Sequence, residues 1–468
     1  MEKRINVDWL PIKVNEKIIK EAYDKAGREV KKVLVLVIAT KPCFYKEWSL
    51  MYECSKRNIP FIVLNTGQHF DDLLGYGVKE FKFDEHLAVD MQIRGDLTQK
   101  SAEMFVKTKW FAAYLKSNYP KVESWLYVNG DTISAAVIPA AWLFSTNQKA
   151  VQGEAGLRGM APESFKKLNN DMNFDQIVDA QFNGKWFIDR TEPFPEQWDT
   201  FVAGAGCQYH FAPVALNKKN LVKEGYKEER VFVTGNTVVD AVNLKKKENS
   251  ANSIFAEYPK LEKGEWLRVD IHRRDNLTDR RFKAIINGLL DLVRKEIKVV
   301  FVELTASKLA LEHFKIRNKL IDLSNTNENF LFTQLWREYS QVIEFLESSN
   351  CWAIYTDSGS MQEEMNELGK PCLTARFNTD RPETVFEAKS NLLIPPFSSN
   401  FVSDNISKVY NEPNLRRKMS KAKKIYGKNV AKKTINILEK LWNNNVSLFT
   451  SSHEDLGLWK EKDRLKYL

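Results

Sequence analysis

Thr356-Asp357-Ser358-Gly359-Ser360-Met361-Gln362-Glu363-Glu364 reads as a strand end, a tight Ser-Gly-Ser turn and a helix whose first turn carries acids. A helix start leaves several backbone N–H groups without intrahelical partners. Together with the positive end of the helix dipole, these donors suit a phosphate or diphosphate. Gly359 permits close backbone approach, while Ser358 and Ser360 either donate hydroxyl hydrogen bonds to such an anion or cap the helix. Taken alone, the segment is equally well an ordinary helix cap, so its surroundings must decide.

Upstream, Trp352 to Tyr355 supplies the strand, and the same pattern recurs along the chain. Val33-Leu34-Val35-Leu36-Val37-Ile38 is apolar on both faces, as a buried parallel strand requires, and stops at Ala39-Thr40-Lys41-Pro42. Helical spacing follows through Trp48, Leu50, Met51 and Cys54. Then come a strand at 60–64, a long helix near 100–117, a strand at 124–128 and a helix from about Ser134. After Asn236 the rhythm restarts with a strand near 266–271, a helix at 280–295 and strands at 299–302 and 352–355. Alternating strands and helices predict parallel sheets, and two successive α/β series predict two Rossmann-like domains with a ligand at the carboxyl ends of their strands, in a cleft. The expected division is an extension over 1–31, a first domain over 32–238 with a polar insertion at about 160–190, a second over 239–417, and a final stretch over 418–468.

The length of 468 residues exceeds one comfortable core, and 43% hydrophobic residues is ordinary for a globular protein. No run of about 18 apolar residues occurs, and the opening MEKRINVDWLPIKVNEK lacks the apolar centre of a signal peptide, so a cytoplasmic protein is expected. Five scattered cysteines, Cys43, Cys54, Cys207, Cys351 and Cys372, include no CxxC pair and predict buried thiols, with neither disulfides nor a metal site. The net charge of +9 is unaccompanied by any nucleic-acid-binding motif, and an anionic small molecule steered by that charge is a sufficient partner. Neither nucleic acid nor membrane is called for.

Polar residues gather where the strands end: Asn65-Thr66-Gly67-Gln68-His69, Asn129-Gly130-Asp131-Thr132, Gly153-Glu154-Ala155-Gly156-Leu157-Arg158, Pro193-Phe194-Pro195-Glu196 and His272-Arg273-Arg274-Asp275-Asn276. Each has a plain structural explanation. Asp131 and Thr132 suit a helix cap, Glu154 and Arg158 a surface pair, and the two prolines a stiff turn. Five such clusters in one chain are harder to dismiss.

Read in order, the strings ATKP, TGQH, NGDT, GEAGLRG, PFPE, TGNTVVDA, HRRDN, TDSGSMQEE, LGKPCL and TDRPE resemble the UDP-N-acetylglucosamine 2-epimerase family, from about Lys32 to Leu438. That family shares its two-domain arrangement with the GT-B glycosyltransferases. The resemblance implies conversion of UDP-GlcNAc to UDP-ManNAc: UDP leaves C1 as the C2 proton is lost, and UDP adds back to the 2-acetamidoglucal with protonation from the opposite face. It implies catalytic roles for Asp131, Glu154, Glu196 and His272. Crowding of the acids is expected to raise at least one pKa. Substrate contacts are implied for Lys41, Lys46, Gln68, His69, Arg158, Arg273, Ser358, Gly359, Ser360, Glu364 and Arg381, with Glu364 on the ribose hydroxyls and Lys46 near the phosphates. No metal or cofactor is required. A homodimer formed through the first domain is implied, as is a final helix that crosses back to that domain.

Several departures stand out. Lys41 replaces the family's first-loop arginine and loses its planar, bidentate geometry. After Glu196 the chain reads Gln197-Trp198-Asp199-Thr200 where the family carries Glu, a variable residue, Asn and Arg; DSGG has become DSGS through Ser360. Forty-two positions separate Glu154 from Glu196, more than the family usually allows, because of the insertion. A hydrolysing epimerase that releases ManNAc and UDP, a GT-B glycosyltransferase and an inactive nucleotide-sugar binder remain open as alternatives.

Overall fold

The computed structural model describes residues 12–28, 31–67, 80–247, 252–444, 446 and 448. The chain divides into two compact units, one bounded by Met1–Gly156, Trp198–Thr237 and Asn429–Leu468, the other by Leu157–Gln197 and Val238–Lys428.

The first unit begins with β1 (Lys13–Val14), β2 (Lys32–Ile38), β3 (Phe61–Asn65), β4 (Leu87–Asp90), β5 (Glu123–Asn129) and β6 (Ala150–Gly153). The chain then leaves for the second unit with the antiparallel pair β7 (Met160–Pro162) and β8 (Trp186–Ile188), and returns with β9 (Cys207–Ala212) and β10 (Val231–Val233). The sheet order is β1-β4-β3-β2-β5-β6-β9-β10. Its pairings are parallel, apart from β1, which runs antiparallel to β4 at the edge. All seven residues of β2 are buried, as expected of a central strand covered on both faces. The helix Glu16–Arg28 adds Ile19, Tyr23 and Ala26 to this core, and the Tyr23 hydroxyl lies 2.6 Å from Ser124 Oγ. The N-terminal stretch is therefore partly built into the first unit.

The second unit carries β11 (Trp266–Asp270), β12 (Lys298–Glu303), β13 (Phe330–Gln334), β14 (Cys351–Thr356), β15 (Cys372–Thr374) and β16 (Asn391–Leu393). They form an all-parallel sheet ordered β13-β12-β11-β14-β15-β16. The order reverses between β11 and β14, which makes the crevice above those two strands the natural ligand position of a doubly wound sheet. In the first sheet the equivalent reversal lies between β2 and β5.

Two boundaries differ from the sequence expectation. The polar stretch at 160–190, assigned above to the first domain, belongs to the second unit. It folds into β7, β8 and a helix, Phe174–Phe182, whose Phe174, Ile177 and Phe182 enter the second core. Phe165, Leu168, Met172, Val178 and Trp186, partly buried, pack against the same core. Gln181 completes this docking, donating to Leu393 O at 3.0 Å and accepting from Leu393 N at 2.7 Å along the otherwise open edge of β16. The chain rejoins the first unit at Asn429, later than 418, because Met419 of the helix Pro413–Ser420 packs in the second core. The helix Val430–Asn443 then sets Trp442 edge-on against Trp125 at 5.9 Å between ring centroids. All five cysteines are buried free thiols. Among the described residues no helix is long and apolar enough to cross a membrane.

Candidate active site

The crevice of the second unit is organised by a residue that sequence reasoning passed over. Asp357, fully buried just beyond β14, accepts from the backbone N–H of His272 at 3.0 Å, that of Arg273 at 2.9 Å and the Asn276 amide at 3.0 Å. It also faces His272 Nδ1 at 2.9 Å. One carboxylate thus fixes the loop after β11 against the end of β14. Burial opposes a charged imidazole, but the negative charge of Asp357 outweighs it and the His272 pKa is raised. Burial likewise opposes the Asp357 carboxylate, yet His272 and the donated N–H groups lower its pKa. Beneath this pair, Thr356 and Arg268 both bond Asp270 at the end of β11, and the Arg268 guanidinium lies 4.9 Å from the Trp336 ring centroid.

Ser358 caps the helix Gly359–Leu368, its Oγ accepting from Met361 N at 3.5 Å, while Ser358 N donates to Thr356 Oγ1 at 3.0 Å. The acids fall in the second turn of this helix, one turn later than the sequence suggested. Glu364 is buried and accepts from Ser360 Oγ at 2.9 Å and from the Tyr339 hydroxyl at 2.8 Å, so donors already occupy both of its oxygens. Arg381 is buried under the turn, where it meets Asp380 and Glu363. A Cβ on Gly359 would come within 2.8 Å of Arg381 Nη1, and this close approach is what requires glycine there.

Glu196 opens the helix Glu196–Ala205 and pairs with Arg273 inside the second unit. The neighbouring segment is fastened on the same unit: Glu192 binds Arg281 through both oxygens at 2.7 and 3.0 Å, and Asn378 donates to Asp189 at 3.0 Å. Gln197, the departure from the family pattern, is buried and accepts from Gly159 N at 2.9 Å.

In the first unit, β6 delivers Glu154 in the left-handed backbone region at φ 51°, a conformation a non-glycine residue holds only where its surroundings enforce it. Glu154 Oε1 accepts from Lys46 Nζ at 2.5 Å and from Asn236 Nδ2 at 2.7 Å. Lys46, expected near phosphates, is thus buried against this carboxylate. Gly130, at φ 83°, brings the loop after β5 so close that a Cβ there would meet Glu154 Oε2 at 3.0 Å. Half-buried Asp131 follows it, and Thr132 caps the helix Ile133–Thr146 by accepting from Ala135 N at 3.2 Å. Capping therefore falls to Thr132. Glu154 is 6% exposed and Arg158 1%, which excludes the plain reading of a surface pair.

Lys41 is the first residue of the helix Lys41–Lys56, and its side chain lies outside the described set, as do Gln68 and His69 entirely. Among the described residues no group of three or more His, Cys, Asp or Glu side chains is arranged to hold a metal ion.

A sequence model of UDP-N-acetylglucosamine 2-epimerase matches residues 184–439, more than half of the chain. The UDP-N-acetylglucosamine 2-epimerase of Campylobacter jejuni is 30% identical over 432 residues, covering 89% of this chain and 99% of that protein. The chain belongs to the UDP-N-acetylglucosamine 2-epimerase family. The family member from Methanocaldococcus jannaschii is 27% identical over 376 residues, covering 77% of this chain and 88% of its own. In fold, the chain is similar to the crystal structure of UDP-GlcNAc 2-epimerase from Neisseria meningitidis bound to UDP-GlcNAc, with a TM-score of 0.70 at 24% identity over 87% of this chain and all of that one. The expectation of two Rossmann-like units is met.

Within this family fold, four residues absent from the sequence reading organise the sites: Asp357, Asn276, Asn236 and Glu47. The first three lie in strings already quoted, TDSGSMQEE, HRRDN and TGNTVVDA, so their signal was present but unused. Glu47 had none, since a glutamate after Lys46 on a helix reads as a solvated side chain.

Proposed function

We propose that this chain is a non-hydrolysing UDP-N-acetylglucosamine 2-epimerase, interconverting UDP-GlcNAc and UDP-ManNAc. The carrying observation is the match to the Campylobacter jejuni epimerase along 99% of that protein, which leaves neither Rossmann-like unit unrepresented. The C2 hydrogen of the sugar is not adjacent to a carbonyl, so deprotonation alone is unfavourable, and departure of UDP from C1 must accompany it. Asp131, Glu154 and Glu196 are the groups we assign to proton transfer at C2 and to stabilising positive charge at C1. His272, which Asp357 favours as the cation, and Arg273 neutralise the leaving diphosphate together with the N–H groups of the Ser358–Ser360 turn. Re-addition of UDP with a proton delivered to the other face completes the inversion. Lys41, Gln68, His69, Arg158, Glu364 and Arg381 complete the substrate-contacting set. Glu364 carries one donor on each oxygen, Ser360 and Tyr339, and each oxygen keeps a lone pair for a ribose hydroxyl.

The test is incubation with UDP-GlcNAc in deuterated water, followed by proton NMR. UDP-ManNAc carrying deuterium at C2 is the expected product. Free ManNAc with UDP identifies a hydrolysing enzyme, transfer to an added acceptor with C2–H retained a glycosyltransferase, and binding without exchange an inactive binder.

A homodimer through the first unit and a cytoplasmic location complete the proposal. The dimer is supported by large apolar side chains left exposed there, Phe105 and Trp110 on the helix Leu97–Asn118 and Phe144 on Ile133–Thr146.

A further inference from the structure

Glu47 lies one residue after Lys46 on the helix Lys41–Lys56, and it is fully buried. Among the described residues neither of its carboxyl oxygens has a hydrogen bond of ordinary geometry; the Asn129 side chain is its polar neighbour, and the buried Asn129 Oδ1 has no donor either. Three buried acceptors with no donor in ordinary hydrogen-bond geometry are not a stable arrangement for a buried carboxylate. Among the described residues, the charged and titratable groups that act on Glu47 include Cys43, Lys46 and, farther along, Cys54 on its own helix, Tyr127 on β5 and Glu154 after β6. The Lys46 ammonium therefore acts on both carboxyl groups. Glu154 holds it at 2.5 Å and has the Asn236 amide as a second donor, so Glu154 is the member of the pair that ionises.

We propose that Glu47 is an uncharged, protonated acid that positions Asn129 and does not compete with Glu154 for Lys46. A proton on Glu47 supplies the donor that Asn129 Oδ1 lacks. Burial itself drives the Glu47 pKa well up, the Asn129 amide opposes this, and the Glu154 charge reinforces it. Glu47 is thus a positioning residue. Its effect on catalysis rests on the reading of Glu154 as a proton-transfer group, whereas its protonation state does not.

Two measurements separate those levels. Infrared spectra of the full-length protein at pH 8, wild type minus Glu47→Gln, are expected to show a carboxylic-acid C=O band lost on substitution, whatever the enzyme turns over. A carboxylate band lost instead overturns the proposal. In steady-state epimerisation of UDP-GlcNAc, Glu47→Ala is expected to lower kcat about tenfold or more with KM little changed, because Asn129 and Lys46 lose their support. Glu47→Gln, which keeps shape and neutrality, is expected to recover most of that loss and to leave the acid limb of the pH profile in place. A Gln variant as slow as Ala, or an acid limb displaced to lower pH as removal of a negative charge beside Glu154 requires, overturns it. If the wild type does not act on UDP-GlcNAc at all, the functional reading fails while the infrared difference still decides the state of Glu47.

Discussion

A carboxylate that removes a proton from carbon must be ionised, aimed and supplied with a counter-charge that does not neutralise it. For the role proposed above, Glu154 has Lys46 and Asn236 as partners and is held by a strained backbone, while Glu196 draws its cation from Arg273. Asp131→Asn, Glu154→Gln and Glu196→Gln are each expected to lower kcat about 10²-fold or more, with UDP affinity by calorimetry nearly unchanged. Full activity in all three would remove them from the mechanism. The His272–Asp357 pair makes a pH-dependent contribution of defined sign. His272 has a raised pKa, so its stabilisation is complete below the ordinary value of 6.5 and fades as pH rises through the folded pKa. Asp357 has a lowered pKa, so its stabilisation is present above 3.8 and is lost as pH falls through its folded value. The pair therefore stabilises most between those limits. In Asp357→Asn the imidazole titration of His272, followed by NMR, should move to lower pH, and the decline of kcat on the basic side should move with it. An unmoved titration would show that the carboxylate does not govern this histidine.

Two elements carry mechanical constraints. At the helix Gly359–Leu368, close approach of Arg381 to Gly359 leaves no room for a methyl group unless a guanidinium pinned by Asp380 and Glu363 moves. Gly359→Ala is expected to destabilise the protein by about 1–3 kcal/mol, as overpacking does, and to weaken UDP binding, measured by denaturant unfolding and calorimetry. Wild-type values for both would mean that the turn tolerates displacement. On the far edge of the same sheet, Gln181 satisfies both backbone groups of Leu393. Gln181→Ala should cost about 1–3 kcal/mol by stranding buried polar groups, and loss of protection at Leu393 N–H in hydrogen exchange would locate the damage.

For the whole molecule, assembly and charge are the testable properties. Phe144 is 75% exposed on the helix Ile133–Thr146 and lies 5.9 Å from Phe105, centroid to centroid. If this face joins two copies, Phe144→Asp combined with Trp110→Lys should convert a dimer to a monomer in sedimentation velocity, and an unchanged coefficient would place any contact elsewhere. A net charge of +9 attracts an anionic nucleotide sugar, so KM for UDP-GlcNAc should rise with added salt over a range in which the far-ultraviolet circular dichroism stays constant.

The apolar runs at 33–38, 299–302 and 352–355 determined by themselves where central strands form, because a strand covered on both faces strongly favours apolar side chains. The ordered strings at strand ends determined the family, and Ser358-Gly359-Ser360 the helix start. Periodicity carries no information on which sheet a short polar insertion joins, so only tertiary docking, led by Phe174, Ile177 and Phe182 on the second core, assigned 157–197 to that unit, where Glu196 meets Arg273. Side-chain pairing across long separations was equally illegible. Lys46 meets Glu154, and Asp357 gathers His272, Arg273 and Asn276, through loops that the strand order brings together. Glu47 is the extreme case: a glutamate on a helix reads as a solvated side chain, whereas its burial, a property of the packed molecule and not of the local sequence, is the main cause that drives its pKa up.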